Sequence, residues 1–173
     1  MGMLEAGGLE VMTDGIRVAD FSNPLGYYEY ERVKTLDKDA DKSWLQAARG
    51  KAIKIISFLL KDLPDSNHYR VLFMNRDLDE VLASQRTMLH ALGERSEPAA
   101  DEHLAAGYRT HLSVVNDLLI RRPCFELLAL NYTDFIAQPS EQADRINRFL
   151  WGGLDVVKMA AHVDPALYRN RRP

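Results

Sequence analysis

Short apolar runs alternate along this chain with stretches in which apolar residues recur at helical spacing. Four runs are typical of strands buried in a sheet and cover residues 9–12, 52–57, 70–74 and 125–130. The intervening spacing predicts helices at about 42–49, 77–92, 103–122 and 140–150, with a last short helix before Asp164. Strands that alternate with helices indicate an α/β domain with a mainly parallel sheet.

The helix predicted after the third run has a recognisable start and one apolar side. Asp77 and Glu80 have the spacing of a capping box, with Asp in place of the usual Ser or Thr. Its apolar stripe consists of Leu78, Val81, Leu82, Leu89 and Leu92. A polar break at 93–102 separates this helix from a longer one that Pro123 ends. The apolar face of that longer helix consists of Leu104, Tyr108, Leu112, Val115 and Leu119.

Composition places the chain among ordinary globular proteins. Its 173 residues, with a mass of 19.7 kDa, suit a single domain that covers residues 1–173. The 46% of hydrophobic residues and 27% of charged residues exclude disordered and collagen-like classes. Proteins that bind the backbone of nucleic acids carry a basic excess, whereas this chain has a net charge of −3 and a pI near 5.9. We therefore expect no nucleic-acid partner.

Three further features predict the compartment. The longest apolar run, residues 55–60, is far shorter than the roughly 18 residues that a membrane-spanning helix needs. The N-terminal residues lack the basic region and apolar stretch of a signal peptide. Cys124 is the only cysteine and cannot form an internal disulfide. We expect a cytoplasmic protein with no membrane partner.

Residues whose side chains could bind a ligand follow two of the predicted strands. In open α/β sheets ligands bind at the carboxyl ends of the strands, so these positions are the first candidates. Arg76 leaves one strand as the next helix begins, and Ser84 lies about two turns into that helix. A guanidinium with a nearby hydroxyl can hold a phosphate. Tyr132 follows another strand, where its aromatic ring can stack on a base.

Taken together, these motifs resemble those of sulfotransferases that use 3′-phosphoadenosine 5′-phosphosulfate (PAPS). The segment 75–84, from Asn75-Arg76-Asp77 to Ser84, is similar to the family's 3′-phosphate motif, and Tyr132-Thr133-Asp134-Phe135 to its Tyr-Glu-Asp-Leu segment. Residues 23–29 resemble an Asn-Pro-x-Gly-Tyr-Tyr-Glu element of bacterial sulfotransferase-like proteins, and residues 167–171 fit the same group. The resemblance covers nearly the whole chain, in the family's order.

The resemblance implies a fold, a reaction and a set of roles. The fold would be a three-layer, phosphate-loop type of α/β domain, and the reaction would transfer a sulfuryl group from PAPS to a hydroxyl or amine acceptor. Arg76 and Ser84 would hold the 3′-phosphate, and Tyr132 would contact the adenine. Arg169 and Arg171 would be basic C-terminal residues on the 3′-phosphate. The co-substrate would be PAPS and the product adenosine 3′,5′-bisphosphate.

Two features of the family pattern are missing from this sequence. The family's first strand and Gly-rich phosphate loop have no counterpart: Gly2 and Gly7 have the outer spacing of such a loop, but Gly8 and Leu9 replace its Lys and Ser or Thr. No His follows the strand predicted at 52–57, where the cytosolic branch has a catalytic one. We therefore expect either an N-terminally incomplete sulfotransferase-like domain or a chain that folds by pairing its open sheet edges with a second copy. The alternative is a non-catalytic nucleotide-binding remnant or an interaction module.

Each candidate on the helix and at the strand ends also has an ordinary structural explanation. Arg76 can form a surface ion pair with Asp79 or Glu80, which contributes little to stability. Ser84 can bond to its own helical turn. Tyr132 can pack in the core with its hydroxyl satisfied. The sequence alone does not decide between these structural explanations and the binding roles.

The remaining charged and sulfur-bearing residues have alternatives of the same kind. Lys54 is the one charged member of an apolar run, so it requires an anion, either on the nucleotide or sulfuryl group or on a carboxylate. Arg169 and Arg171 can belong to a solvated tail. The five histidines show no spacing with Cys or carboxylates that completes a metal site, so we predict none. Cys124 is better explained as a small buried hydrophobe than as a nucleophile.

Overall fold

The computed structural model of this protein describes residues 1–19, 23, 26–91, 93 and 98–167. Parts of the sequence predictions lie outside this set: Leu92 of the apolar stripe, Pro24 and Leu25 of the Asn-Pro-x-Gly element, and the C-terminal Arg169 and Arg171. The strands and helices that carry the other candidates are all within it.

Helices and strands alternate along the described part of the chain. Its α-helices are α1 (Gly2–Ala6), α2 (Leu78–Ala91), α3 (Pro98–Arg121), α4 (Tyr132–Ala137), α5 (Pro139–Phe149) and α6 (Val156–Ala161). Its strands are β1 (Val11–Met12), β2 (Ala52–Ile53), β3 (Tyr69–Asn75) and β4 (Phe125–Asn131). Its 3-10 helices cover Glu31–Thr35, Ser43–Ala48, Ser57–Asp62 and Pro165–Leu167. This order confirms the predicted mixture of α and β structure.

The strands form small parallel sheets. β1 pairs with β2, with Val11 opposite Ala52 and Met12 opposite Ile53. β3 pairs with β4 over seven positions, and the last of them places Asn75 opposite Asn131. Parallel pairing requires a long crossover, which α2 and α3 supply between β3 and β4. The predicted parallel arrangement is confirmed for both pairs.

The two faces of the β3–β4 pair are buried in two different apolar clusters. Odd-numbered side chains such as Val71 and Leu127 pack with α3 and with the 3-10 helices, in a cluster that includes the fully buried Leu36. Even-numbered side chains such as Leu128 and Leu130 pack with α1, α4, α5 and α6. Since successive side chains of a strand point to opposite faces, a strand buried on both faces is apolar at nearly every position, as the sequence shows here.

Strand β2 is much shorter than the apolar run at 52–57 predicted. It ends at Ile53, and Ser57 already begins a 3-10 helix. The reason lies in its partner, because β1 ends at Met12 where the chain turns away: the Thr13 hydroxyl donates to the Glu29 carbonyl at 2.9 Å, and Asp14 Oδ1 accepts from Ile16 N at 3.1 Å. Without a partner strand beyond Met12, the residues after Ile53 do not pair: Ile55 packs against the core, whereas Ile56 is 57% exposed.

Two helices differ from their predicted forms. The polar break predicted at 93–102 is wrong in its second half, because α3 begins at Pro98. Proline is favoured at the first position of a helix, where its missing N–H would have no partner anyway. The helix predicted at 42–49 is a 3-10 helix at Ser43–Ala48, followed by Gly50 with a φ of 74°.

The glycines near the start of the chain serve close packing rather than a phosphate loop. Gly2 lies in α1, and Gly7 directly follows that helix. A Cβ at Gly7 would lie 2.5 Å from Cγ of Met159 on α6, so only glycine permits this approach. The Gly7 carbonyl also accepts a hydrogen bond from Asp155 N at 3.0 Å.

We expect Leu130→Ala to lower the free energy of unfolding by about 2–5 kcal/mol, because it removes a side chain that is only 1% exposed and leaves a cavity. Urea unfolding measures the change. Ile120→Ala is the control, since Ile120 on α3 is 68% exposed and its loss should change stability by less than about 0.5 kcal/mol. Equal stability of the two variants would contradict the assignment of Leu130 to the core.

Candidate functional site

The carboxyl ends of β3 and β4 bring Arg76 and Tyr132 together. Asn75 and Asn131 are the last paired residues of the two strands, so the next residue of each strand emerges at the same edge. The Cζ atom of Arg76 lies 4.9 Å from the centre of the Tyr132 ring. A guanidinium over an aromatic face is a favourable cation–π contact. Two residues that are far apart in sequence thus form one surface, composed of a cation and a ring.

A buried carboxylate holds Arg76 in place. Arg76 Nε donates to Oε2 of Glu80 at 3.3 Å, and the Glu80 side chain is only 5% exposed. Asp77 anchors the same turn, because its Oδ1 accepts from the backbone N–H groups of Asp79 and Glu80 at 2.9 and 3.3 Å. The N-terminal cap predicted at Asp77 is confirmed. A carboxylate this buried requires a cation, so Glu80 restricts the positions that Arg76 can adopt.

Ser84 lies on the same side of α2 as this ion pair. It is half-buried and follows Glu80 by four residues, which places it one helical turn, or about 6 Å, further along. Glu80 and Ser84 are thus neighbours on one side of α2, and Arg76, which precedes the helix, reaches this side through its ion pair with Glu80. A planar guanidinium has five donors and can bind more than one oxyanion. The candidate site thus has a cation in Arg76 and a hydroxyl donor in Ser84.

Lys54 forms an ion pair with a carboxylate, which was one of its two sequence-based explanations. Its Nζ lies 3.7 Å from Oε1 of Glu29 and donates to the Tyr27 carbonyl at 3.0 Å. Oε1 of Glu29 also forms an ion pair with Nη1 of Arg17 at 3.0 Å. The Glu29 side chain is 18% exposed. Lys54 itself is 38% exposed, so its charge is shared between solvent and Glu29.

A hydrogen bond between Ser57 and His111 was missed by the sequence analysis. Ser57 Oγ lies 2.8 Å from Nε2 of His111 on α3. The Phe58 ring stacks on the imidazole, with centroids 3.6 Å apart and planes 9° from parallel. Burial lowers the pKa of His111 below its ordinary value, which favours the neutral imidazole. A neutral imidazole held in this way can accept a proton.

No local signal could have identified this pair, because its members are 54 positions apart. No His directly follows the apolar run at 52–57 in the sequence. In the structure, His111 of α3 lies next to Ser57 instead, because α3 packs against the 3-10 helix that begins at Ser57. Only the packing of α3 could reveal it.

Several other features limit the chemistry of the described chain. Among its described residues, no group of three or more His, Cys, Asp or Glu side chains is arranged to hold a metal ion. Burial raises the pKa of the Cys124 thiol, whose Sγ lies 3.4 Å from Oδ1 of Asp65. This thiol therefore stays protonated and unreactive at neutral pH. Within the same residues, no helix combines the length and apolar character needed to cross a membrane.

Comparisons of the chain with known protein families, curated proteins and solved structures found no match.

We expect His111 to titrate below the ordinary histidine pKa of about 6.5, because burial disfavours its charged form. As pH falls through about 6.5, the unfolded chain takes up this proton before the folded chain does, so the free energy of unfolding decreases. The decrease continues down to the folded-state pKa, and above about 6.5 the stability is full. NMR titration and urea unfolding at several pH values measure both effects.

His111→Gln tests the origin of this pH dependence. Glutamine cannot take up a proton, so the variant should lose the part of the stability decrease between the folded-state pKa and about 6.5. A His111 pKa at or above 6.5 in the folded protein would show that the imidazole is not desolvated.

Proposed function

We propose that this chain binds adenosine 3′,5′-bisphosphate and its sulfated form, PAPS, and that it transfers the sulfuryl group to a hydroxyl or amine acceptor. The observation that carries the proposal is the contact between Arg76 and Tyr132 at the ends of β3 and β4. These residues come from the two motifs that resemble the sulfotransferase family. Their meeting at one sheet edge supports the resemblance independently of the sequence similarity.

The geometry suits a nucleotide with a phosphate on its ribose. Arg76 would bind the 3′-phosphate with the fork that Glu80 orients, and Ser84 would donate a further hydrogen bond. The ring of Tyr132 offers an aromatic surface for the adenine.

The burial pattern supports the finer fold assignment that belongs to this function. A three-layer, phosphate-loop type of domain has helices on both faces of its parallel sheet. The apolar clusters on the two faces of β3 and β4 agree with that arrangement. A cytoplasmic location and pairing with a second copy remain predictions that accompany the proposal.

Transfer requires a new bond from sulfur to the acceptor, S–O for a hydroxyl or S–N for an amine, and loss of the acceptor's proton. The acceptor oxygen or nitrogen would attack the sulfur, the S–O bond to the 5′-phosphate would break, and adenosine 3′,5′-bisphosphate would leave. His111, whose Nε2 lies 2.8 Å from Ser57 Oγ, is the candidate to take the proton, and burial favours its neutral form by lowering its pKa. Catalysis would come mainly from positioning and from stabilisation of the negative charge that develops.

Lys54 would serve the sulfuryl group in this scheme, and Arg169 and Arg171 the 3′-phosphate. The pairing of Lys54 with Glu29 favours a second candidate function. A cation already neutralised by a carboxylate stabilises a developing charge less well, so the chain can bind the nucleotide without transferring sulfate. Acceptor-dependent formation of a sulfated product distinguishes the two functions.

We expect Arg76→Ala to weaken binding of adenosine 3′,5′-bisphosphate about ten- to a hundredfold, because it removes a charged hydrogen-bonding group worth roughly 1.5–3 kcal/mol. Binding of ADP, which has no 3′-phosphate, should change much less. Calorimetric titration with both ligands measures the difference. Arg109→Ala, at an exposed cation of α3, controls for the change in net charge.

Arg76→Lys separates recognition from stability. Arg76→Ala leaves the buried Glu80 carboxylate without this cation and can therefore destabilise the protein. The urea unfolding midpoint of the Arg76→Ala variant must therefore be measured beside its affinity. The lysine variant keeps the charge but loses the planar fork, and we expect intermediate affinity for the bisphosphate. Wild-type protein that binds the bisphosphate no better than ADP would overturn the proposed site.

Ser84→Ala should weaken bisphosphate binding several-fold and leave ADP binding unchanged, since the hydroxyl is assigned to the 3′-phosphate alone. The same calorimetric titrations measure this. Ser113→Ala, at an exposed serine of α3, is the matched control and should behave as wild type. An equal loss for both ligands would assign Ser84 to the structure of α2 instead.

A further inference from the structure

The turn that ends α5 carries a tryptophan in a left-handed backbone conformation. The Trp151 N–H donates to the Arg148 carbonyl at 3.2 Å. The Gly152 N–H donates to the Asn147 carbonyl at 2.7 Å. These two bonds form a Schellman motif, which has a left-handed residue directly after the C-cap. That residue is Trp151, with a φ of 72°, whereas glycine or asparagine is usual at this position.

Trp151 is also the most exposed large apolar side chain among the described residues, at 81%. A bulky side chain in the left-handed region strains the backbone, and an indole in water is not stabilised by burial. Glycine would remove the strain and keep the same backbone hydrogen bonds. The choice of tryptophan therefore points to a contact outside the single chain.

Arg70 fixes the indole in this exposed position. Its Cζ atom lies 3.4 Å from the centre of the Trp151 ring, and its guanidinium donates to the Phe149 carbonyl. Nη2 of Arg70 lies 2.8 Å from Oε2 of Glu126 on β4, and the Arg70 side chain is only 18% exposed. One face of the ring thus lies against a guanidinium that is itself held in place. A side chain ordered before binding loses little conformational entropy on binding.

A bare surface lies beside this projecting ring. Gly152 and Gly153 are exposed, and a Cβ at either position would meet no atom of a more distant residue within 4 Å. Val157, just beyond them at the start of α6, is 74% exposed. This α5–α6 corner, residues 151–157, therefore combines a projecting ring with a surface that has no side chains. A two-fold axis would place the ring of each copy on the bare surface of the other, as an isologous interface requires.

The charges at the corner also fit a second copy. The Glu126 side chain is 57% exposed, and Arg148 is exposed as well. A patch that carries both signs can pair with itself across a two-fold axis, whereas a patch of one sign would repel its copy. A nucleic acid or an anionic membrane would instead require an excess of cations.

We propose that the α5–α6 corner is the interface of a symmetric homodimer, in which the Trp151 ring of each copy packs on the glycines of the other. Arg70 and Glu126 are paired near the start of the β3–β4 ladder, so this surface lies at the end opposite to Arg76. The interface uses no strand edge, unlike the pairing that the sequence led us to expect. The inference does not depend on the proposed nucleotide site.

Sedimentation equilibrium of the full chain, from low micromolar to several hundred micromolar, tests the association. We expect wild-type protein to dimerise and Trp151→Gly to weaken the dimer at least tenfold. Ile120→Ala removes a 68% exposed apolar side chain from α3 and should stay within twofold of wild type. A wild-type chain that stays monomeric throughout, or a dimer that Trp151→Gly leaves intact, would overturn the proposal.

Urea unfolding separates the interface from a role in the fold. Glycine suits the left-handed position, and the strain that it relieves offsets the lost contact with Arg70. Trp151→Gly should therefore keep the unfolding midpoint of wild-type protein at a dilution where both are monomeric. A large drop in the midpoint would assign Trp151 to the stability of the single chain instead.

Gly152→Asn tests the bare surface without a change to the ring. Asparagine tolerates a positive φ, such as the 84° of Gly152, so the variant should fold while its side chain occupies the proposed contact surface. We expect dimerisation to weaken at least fivefold. Gly50→Asn is the matched control, since Gly50 has a φ of 74° and equally open surroundings. Equal dimerisation of the two variants would overturn the proposed packing.

Tryptophan fluorescence gives an independent measurement of the interface. The chain has only two tryptophans, and the other one, Trp44, is 8% exposed. Dimer formation should shield Trp151 from iodide and shift its emission to shorter wavelength as the protein concentration rises. Unchanged quenching in samples that sedimentation shows to be dimeric would place the interface elsewhere.

Discussion

The parallel ladder between β3 and β4 is the interaction on which the candidate site depends. Its register places Asn75 opposite Asn131, and for that reason Arg76 and Tyr132 leave the sheet side by side. A slip of one residue would move Arg76 away from the ring and would exchange the two faces of one strand. Burial on both faces opposes such a slip, because odd and even side chains belong to different clusters. The packing of the core thus positions the site.

Carboxylates arrange the cations around this ladder. Glu80 holds Arg76 beside Tyr132, and Glu29 holds Lys54 beside Tyr27. The two pairs differ in exposure, since Glu80 is 5% exposed and Glu29 is 18% exposed. A deeply buried carboxylate fixes its partner more strongly, because separation would leave a charge without solvent. Arg76 is accordingly held more firmly beside Tyr132, whereas Lys54 keeps more freedom to exchange partners.

The sequence predicted the elements that depend on local pattern. The strands at β3 and β4, the cap at Asp77 and the parallel pairing were all foreseen from apolar runs, spacing and alternation. Features that depend on residues distant in the sequence were not predicted. β2 ends at Ile53 because β1 ends at Met12, and Ser57 meets His111 because α3 crosses the 3-10 helix. The choice between the two explanations of Lys54 likewise needed the position of Glu29, which the sequence does not define.

The length of the crossover has a consequence for how the molecule forms. Every pair in the β3–β4 ladder joins residues 56 positions apart in the chain. Closing so large a loop costs conformational entropy before the hydrogen bonds of the ladder can stabilise the fold. Helices α2 and α3 have local hydrogen bonds and can therefore form earlier. On a ribosome, β3 would emerge and wait for β4 with an unpaired edge exposed. The Arg76–Tyr132 contact would then be among the last parts of the molecule to assemble.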